Sequence, residues 1–429
     1  MKKFLALLIG LPLLVLALTP LIIGGAINDP KQLEQLRLQL GQPDMNLALD
    51  RGWFRTTGVV TVTDPVIGQQ RHQGVRFTAP VTIQHGPLLW TDAGMQLGWA
   101  YGVAEPRLDA PVDDPVFNAL LTSATTPRVT VLTTLAQDMV LHWSNDTLYY
   151  DDRERVLTAE NFDLLLSATP DRTVDMTLHA DKIRGSSLVF GSVEAEAPSL
   201  VLNGRDPNGT LLPNSLHLSL PRLHIDAEEQ LTLHGIRIDY AAREEPGTSK
   251  VTIEQHVQVE QMESRAPLTA LRLDTVTQDI DVELFRQLRA LMNGVGSSSV
   301  QTPEDLLLQL QRKPFSQHTD ATLTLWGGEH QFAIDLNWPG IPGLTSAEQL
   351  RTSRVLRELN ATIAVRADVE AIERSFVAIM ARNYAAQGML PVENGQYVLD
   401  MNLQGGALNV NGQTIVLEPF LNLLNQMNR

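Results

Sequence analysis

Apolar side chains recur at every second position along most of this chain. In "TVDMTLHA", Val174, Met176 and Leu178 alternate with Thr173, Asp175, Thr177 and His179, the mark of a strand with one buried and one wet face. Leu216, Leu218 and Leu220 form another such row, and Pro221-Arg222 shifts the parity so that Leu223 and Ile225 continue it. Leu231 and Leu233 hand over to Ile236, Ile238 and Tyr240 across His234-Gly235, where the glycine predicts a bulge. Val251, Ile253, Val257 and Val259 read the same way, as do Leu271 with Leu273, Leu323 with Leu325, and Phe332 with Ile334 and Leu336. Clean alternation belongs to antiparallel rather than buried parallel sheet. The expected fold class is therefore α+β and predominantly antiparallel β, an elongated twisted sheet with a few amphipathic helices, preceded by one transmembrane helix.

The helices collect toward the C-terminal half. "DVELFRQLRALMN" places Leu284, Leu288 and Leu291 on one face, with Asp281 positioned to cap it. "TPEDLLLQLQR" has Thr302 as N-cap and Pro303 at the first helical position. "TSAEQLRTSRVLREL" offers Thr345 with Glu348 as a capping box. "DVEAIERSFVAIMARNYAA" sets Val369, Ile372, Phe376, Ile379 and Met380 in a stripe expected to face the sheet. After it, "GQYVLDMNLQGGALNVNGQTIVL" reads as a β-meander with a two-residue hairpin turn at Asn411-Gly412, closed by a short helix from Pro419 to Gln426.

An uncharged run from Phe4 to Ile27 follows Lys2 and Lys3; as a helix it is ~36 Å long and can cross a bilayer core. It exceeds the ~7 to 15 residues of a signal-peptide core, so it is expected to stay in place as an anchor. The two lysines keep the N-terminus cytoplasmic and send the rest of the chain across. The domain layout expected is an anchor over 1–27, an antiparallel β-rich domain over 28–293, a flexible joint over 294–301 ("GVGSSSVQ"), and an α+β region over 302–429.

A net charge of −16 opposes binding to nucleic acid through a basic surface. With no cysteine, the chain has no disulfide, thiolate nucleophile or Cys-based metal site. The ten histidines are scattered without His-Glu-x-x-His spacing, and His217 and His224 lie on either side of a break. No metal and no cofactor are expected. The paired acids Asp151-Asp152, Glu228-Glu229 and Glu244-Glu245 read as solvated tips. "RGWFR" reads as a turn with packed aromatics rather than a nucleic-acid platform.

"DRGWFRTTGVVTVT" at 50–63, "VTIQHGPLLW" at 81–90 and "ALNVNGQTIVLEPFLNLL" at 407–424 resemble the corresponding segments of the YdgA/YihF-like bacterial family, whose members carry an N-terminal membrane segment and no assigned activity. The resemblance implies a single-pass protein of the bacterial inner membrane with its C-terminal domain in the periplasm, and a distant kinship to AsmA-like envelope proteins.

His85 is the one residue for which a catalytic role has to be weighed. His-Gly-Pro ends a strand whatever its chemistry, since Gly86 permits unusual backbone angles and Pro87 restricts the residue before it. Catalysis needs a carboxylate and a nucleophile around the ring, and Asp92 is the nearest acid downstream. Two functions follow. One is a non-enzymatic envelope protein, binding or structural, whose partners are the membrane and a lipid, other apolar ligand or envelope protein held on a sheet face. The other is a periplasmic hydrolase using His85 with carboxylates from other strands. An acid and a hydroxyl converging on His85 in a pocket favour the enzyme; solvent or backbone carbonyls around it favour the turn.

Overall fold

A computed structural model describes residues 44–416 except 65, 68–69, 72–75, 109–125, 152–154, 188–190, 206–213, 228–229, 265–267, 293–302 and 345–351. The expected anchor, the 294–301 joint, Thr302, the Thr345–Glu348 capping box, Asp152, the Glu228-Glu229 pair and the terminal helix lie outside the described residues. No helix among the described residues is long and apolar enough to cross a membrane. The chain divides into two compact units at Asn203/Gly204, and both are mostly antiparallel sheet.

The first unit is a meander. Its strands are β1 (Met45–Arg51), β2 (Arg55–Thr63), β3 (Arg76–His85), β4 (Leu88–Thr91), β5 (Gly94–Ala104), β6 (Arg128–Thr134), β7 (Met139–Asp151), β8 (Arg155–Ala168), β9 (Thr173–His179), β10 (Lys182–Ser187) and β11 (Gly191–Glu196). β1 pairs with β2, β2 with β3, β3 with β5, β5 with β6, β6 with β7 and β7 with β8. β9 and β10 then share β8 end to end, and β10 pairs with β11. The alternation read at Val174, Met176 and Leu178 is kept: these three are half-buried while Asp175, Thr177 and His179 are exposed.

The second unit continues the plan with β12 (Ser215–Asp226), β13 (Gln230–Glu244), β14 (Lys250–Val259), β15 (Leu268–Asp281), α1 (Val282–Met292), α2 (Pro303–Arg312), β16 (Phe315–Leu325), β17 (Gly328–Trp338), α3 (Thr352–Glu358), β18 (Asn360–Asp368), α4 (Val369–Glu373), α5 (Ala378–Ala386), β19 (Gln396–Gln404), β20 (Ala407–Val410) and β21 (Gln413–Val416). Each of these strands pairs antiparallel with the next. β15 and β16, which flank the 294–301 segment, pair from Leu268↔Leu325 to Gln278↔Ser316. Asn411 and Gly412 take φ of 47° and 86° between Val410 and Gln413, the two-residue hairpin turn that the sequence specifies.

The buried core of this unit gathers where helices meet the sheet. Asp281 caps α1, accepting from the Leu284 N–H at 3.0 Å and from Lys313 Nζ at 2.9 Å. Burial alone would raise its pKa; Lys313 and the helix N–H groups outweigh that and hold it below the usual carboxylate value. Val282 and Phe285 of α1 then pack on Ala242, Val251 and Ile280. Trp338, Ile341 and Leu344 form a second cluster with Leu308 of α2 and Val355 of α3.

Two local expectations are corrected. Gly235 is no bulge: β12 and β13 hold one register from Ser215↔Ala241 to Asp226↔Gln230, and the glycine instead takes φ of +61°, an angle without cost only for glycine. The predicted helix over 368–386 is two helices. Asp368 caps α4, accepting from the Ala371 N–H at 2.7 Å, but the helix stops at Glu373 and α5 begins at Ala378. The buried positions of α5 are Ala378 and Ala381. Of the expected core stripe, Val369 and Ile372 are half-buried, whereas Phe376, Ile379 and Met380 are exposed, Phe376 by 89%.

Candidate functional site

β3 does not reverse at His85. The chain bends at Gly86-Pro87, whose peptide is cis, and runs on as β4, which pairs with the first residues of β5 from Leu88↔Leu97 to Thr91↔Gly94. The reversal is at Asp92-Ala93, inside this hairpin. Facing the bend, the register of β5 against β6 shifts between Gly98 and Ala100. Gly86 N–H donates to Trp99 O at 2.7 Å and Gly98 N–H to Pro87 O at 3.0 Å, so the two kinks face each other.

The hairpin folds back over the sheet. Asp92 at its tip meets Arg128, with Nη2 to Oδ1 at 2.7 Å and Nε to Oδ2 at 3.2 Å. Arg128 opens β6 beside Val129, which pairs with Ala104 at the far end of β5. A hairpin prolonging β5 could not reach it. Gln84 fastens the flap from below: its Nε2 donates to Trp90 O at 2.8 Å and its Oε1 accepts from the Trp90 N–H at 2.9 Å. Leu89 is wholly buried beneath, and Tyr101 is buried on the same strand system. Burial, then the adjacent Asp92 carboxylate, pushes the Tyr101 hydroxyl pKa up.

His85 is enclosed rather than presented, being 2% exposed, and Thr56 beside it is 0% exposed. Nδ1 lies 3.3 Å from Trp53 O, and Nε2 lies 3.0 Å from Thr56 Oγ1. A carbonyl only accepts, so Nδ1 carries the proton, and in the neutral ring Nε2 accepts from the Thr56 hydroxyl. The His85 N–H also donates to Phe54 O at 2.9 Å. A hydroxyl and a backbone carbonyl reach His85, and Asp92 is engaged by Arg128. The ring thus acts as a strut between β3, β2 and the β1–β2 turn. The ring is enclosed by protein, not solvent, and the unusual backbone angle expected at Gly86 is corrected, since Gly86 is not among the residues with positive φ. Gly86 is needed for space: a Cβ there would lie 1.7 Å from Gly98 O.

What the strut supports is an apolar rim. Phe54 adjoins His85, Gly86 adjoins Trp99, and Trp99 Nε1 donates to Leu135 O at 3.1 Å. These bonds bring the β1–β2 turn, the β3 bend, the β5 kink and the β6–β7 turn side by side. Trp53, Phe54, Trp99, Leu135 and Met139 are all exposed there, and the outer face of the flap continues the rim with Trp90, Met95 and Leu97. Phe54, Trp90 and Met95 are 63%, 64% and 65% exposed, so the packed aromatics expected in "RGWFR" stand outside the core. Single exposed apolar residues are ordinary; a contiguous group of large ones marks a surface that meets lipid, ligand or protein.

The scattered histidines acquire partners through register. His217 faces Asp239, Asp239 faces His256, and His256 faces Asp274 on successive strands, with hydrogen bonds from His217 to Asp239 and from His256 to Asp274. His142 pairs with Asp163 in the first unit at 2.5 Å. Among the described residues no group of three His, Asp or Glu side chains is placed to hold a metal ion. Glu244, one of the paired acids, binds Arg286 at 3.0 Å, whereas Glu245 accepts from Thr252 at 3.1 Å.

His318 has carboxylates on both ring nitrogens, Asp335 on Nδ1 at 2.6 Å and Asp320 on Nε2 at 2.7 Å. Asp335 first and Asp320 second raise its pKa above the ordinary imidazole value. Stabilisation from this clamp is fully present below about pH 6.5, the unfolded value, and is lost as pH rises through the higher folded value. The difference in melting temperature between the protein and His318→Gln is therefore expected to narrow as pH rises through that window. A difference that widens would contradict the clamp.

A family model described as a bacterial protein of unknown function (DUF945) matches residues 1–418. No curated protein and no solved structure matches the chain.

Proposed function

We propose for this chain, which belongs to the DUF945 family of bacterial proteins, a non-enzymatic role in the cell envelope: an inner-membrane-anchored, periplasmic β-scaffold that engages lipid through the apolar rim of its first unit. The observation that carries the reading is the rim itself. Three of the six tryptophans in the chain, Trp53, Trp90 and Trp99, stand exposed beside Phe54, Met95 and Leu97. Tryptophan joins a large apolar ring to one N–H donor and suits the boundary between water and hydrocarbon. The run from Phe4 to Ile27 supports the anchor, and the YdgA/YihF-like and AsmA-like resemblance supports the periplasmic placement. Two of the three segments that carry that resemblance, 50–63 and 81–90, supply rim residues and the His85 strut. A histidine sealed from solvent with its hydroxyl partner is a poor base for a hydrolase, since catalysis requires a substrate at the base.

Trp fluorescence tests the reading. The stretch Phe4–Ile27 contains no tryptophan, so quenching by lipid reports on the folded units. In vesicles of brominated phospholipid the full chain should lose emission relative to plain lipid, and the Trp53/Trp90/Trp99→Phe variant should lose most of that difference. Equal emission of the unaltered chain in the two lipids would reject the rim as a lipid-contacting surface.

A further inference from the structure

The wet face of the second unit carries an ordered row of four carboxamides and one serine. Register places Gln278 of β15 opposite Ser316 of β16, Ser316 opposite Asn337 of β17, and Asn337 opposite Asn360 of β18. Gln404 of β19 extends the row, following Leu403, the partner of Ala361. Two residues along the strands a second row runs parallel: Val276, His318, Asp335, Thr362 and Asn402. Both rows line one groove of about 600 Å³.

The groove's lining is polar, with one imidazole and one carboxylate as its ionisable groups. His318 and Asp335 are its charged lining residues, and they are bonded to each other. The second His318 nitrogen is spent on Asp320, and the second Asp335 oxygen accepts from Thr362 Oγ1 at 3.2 Å. An anion finds no free cation among the lining residues, and the carboxylate that a cation would meet, Asp335, is already engaged by His318. The side chains of Gln278, Asn337, Asn360, Asn402 and Gln404, by contrast, make no hydrogen bond to another described residue. Each presents one acceptor and one two-hydrogen donor, the combination that matches hydroxyl groups, which also donate and accept.

Spacing separates the two kinds of chain that offer such groups. Neighbouring strands are ~4.8 Å apart, so polar groups recur along the row at about that interval. An extended peptide presents same-face groups only every ~6.7 Å, out of step with the row, whereas one sugar ring of a linear β-linked glycan advances by close to one strand spacing. Five strands give a floor of roughly 19 Å, long enough for an oligosaccharide.

We infer that this groove is a binding site for a neutral, linear oligosaccharide lying across β15, β16, β17, β18 and β19. The carboxamides pair with its hydroxyl or acetamido groups, and Val276 meets the apolar face of a ring.

Calorimetric titration of the full chain, held in a zwitterionic detergent without a sugar headgroup, tests this with two probes. Cellotetraose offers hydroxyls alone and chitotetraose adds acetamido groups, so their ratio tells which class the groove prefers. At least one should bind with a submillimolar Kd. Binding should weaken ten-fold or more in the Asn337→Leu/Asn360→Leu variant, whose substituted positions are exposed, at unchanged melting temperature. Val276→Trp, which fills the groove without deleting a hydrogen-bonding group, should block it. No heat with either tetrasaccharide at millimolar concentration, binding unchanged in both variants, or equal binding of a neutral hexapeptide would overturn the proposal.

Discussion

Gly86→Ala, the smallest possible change at that position, is expected to be the most damaging single substitution in the first unit. The added carbon would sit 1.7 Å from Gly98 O and 2.9 Å from Trp99 O. Both are backbone atoms held in the strand ladder, so no side-chain rotation relieves the contact. The kinks of β3 and β5 must separate, and the bonds from Gly86 to Trp99 and from Gly98 to Pro87 are lost with the seat of Leu89. Overpacking ordinarily costs about 1 to 3 kcal/mol. A clash between two backbones belongs at or above the top of that range, and for a unit of this size ~3 kcal/mol corresponds to a fall in Tm of roughly 6 to 12 °C. A variant melting within 2 °C of the unaltered protein would show that the bend is not the close contact described.

His85→Ala should come second, at about 2 to 3 kcal/mol, through a different mechanism. Removing the ring opens a cavity and strips Thr56 Oγ1 and Trp53 O of a buried partner, and each such loss carries its own cost. His85→Gln keeps one donor and one acceptor and is expected to recover part of the loss. The rim should loosen with the strut, so lipid-dependent quenching of the tryptophans should fall in step with stability. A His85→Ala protein with unaltered melting but abolished cellular function would instead point to chemistry at the ring.

Much of the scaffold is legible in the sequence. Alternation at Val174–Leu178, the Asn411-Gly412 turn and the Asp281 cap each depend on residues a few positions apart, and local rules reach that far. The His85 environment does not: Thr56 lies 29 residues away, and a histidine followed by Gly-Pro has the same local pattern whether it faces solvent or a neighbouring strand. The bend opposite Gly98 is hidden because the glycine answers to the backbone across from it and not to its own turn. The stripe at Phe376, Ile379 and Met380 misleads in the other direction, since helical spacing specifies which residues share a face and leaves open whether anything lies against it. The carboxamide row is invisible for a further reason. Gln278, Ser316, Asn337 and Asn360 come from four strands, and only their register turns single polar positions into a surface.

The meander pairing of each unit also bears on how the chain can be made. From β1 to β8, and again from β12 to β21, nearly every strand takes its partner from the strand just before or after it. A chain emerging N-terminus first can therefore lay down strands in the order of their synthesis, with short loop closures at each step. The growing end always shows one unsatisfied edge, ready for the next hairpin. Delay exposes that edge to the same segment of another molecule. Pauses in delivery, more than the final stability of the fold, would then set how much of the protein is lost to aggregation.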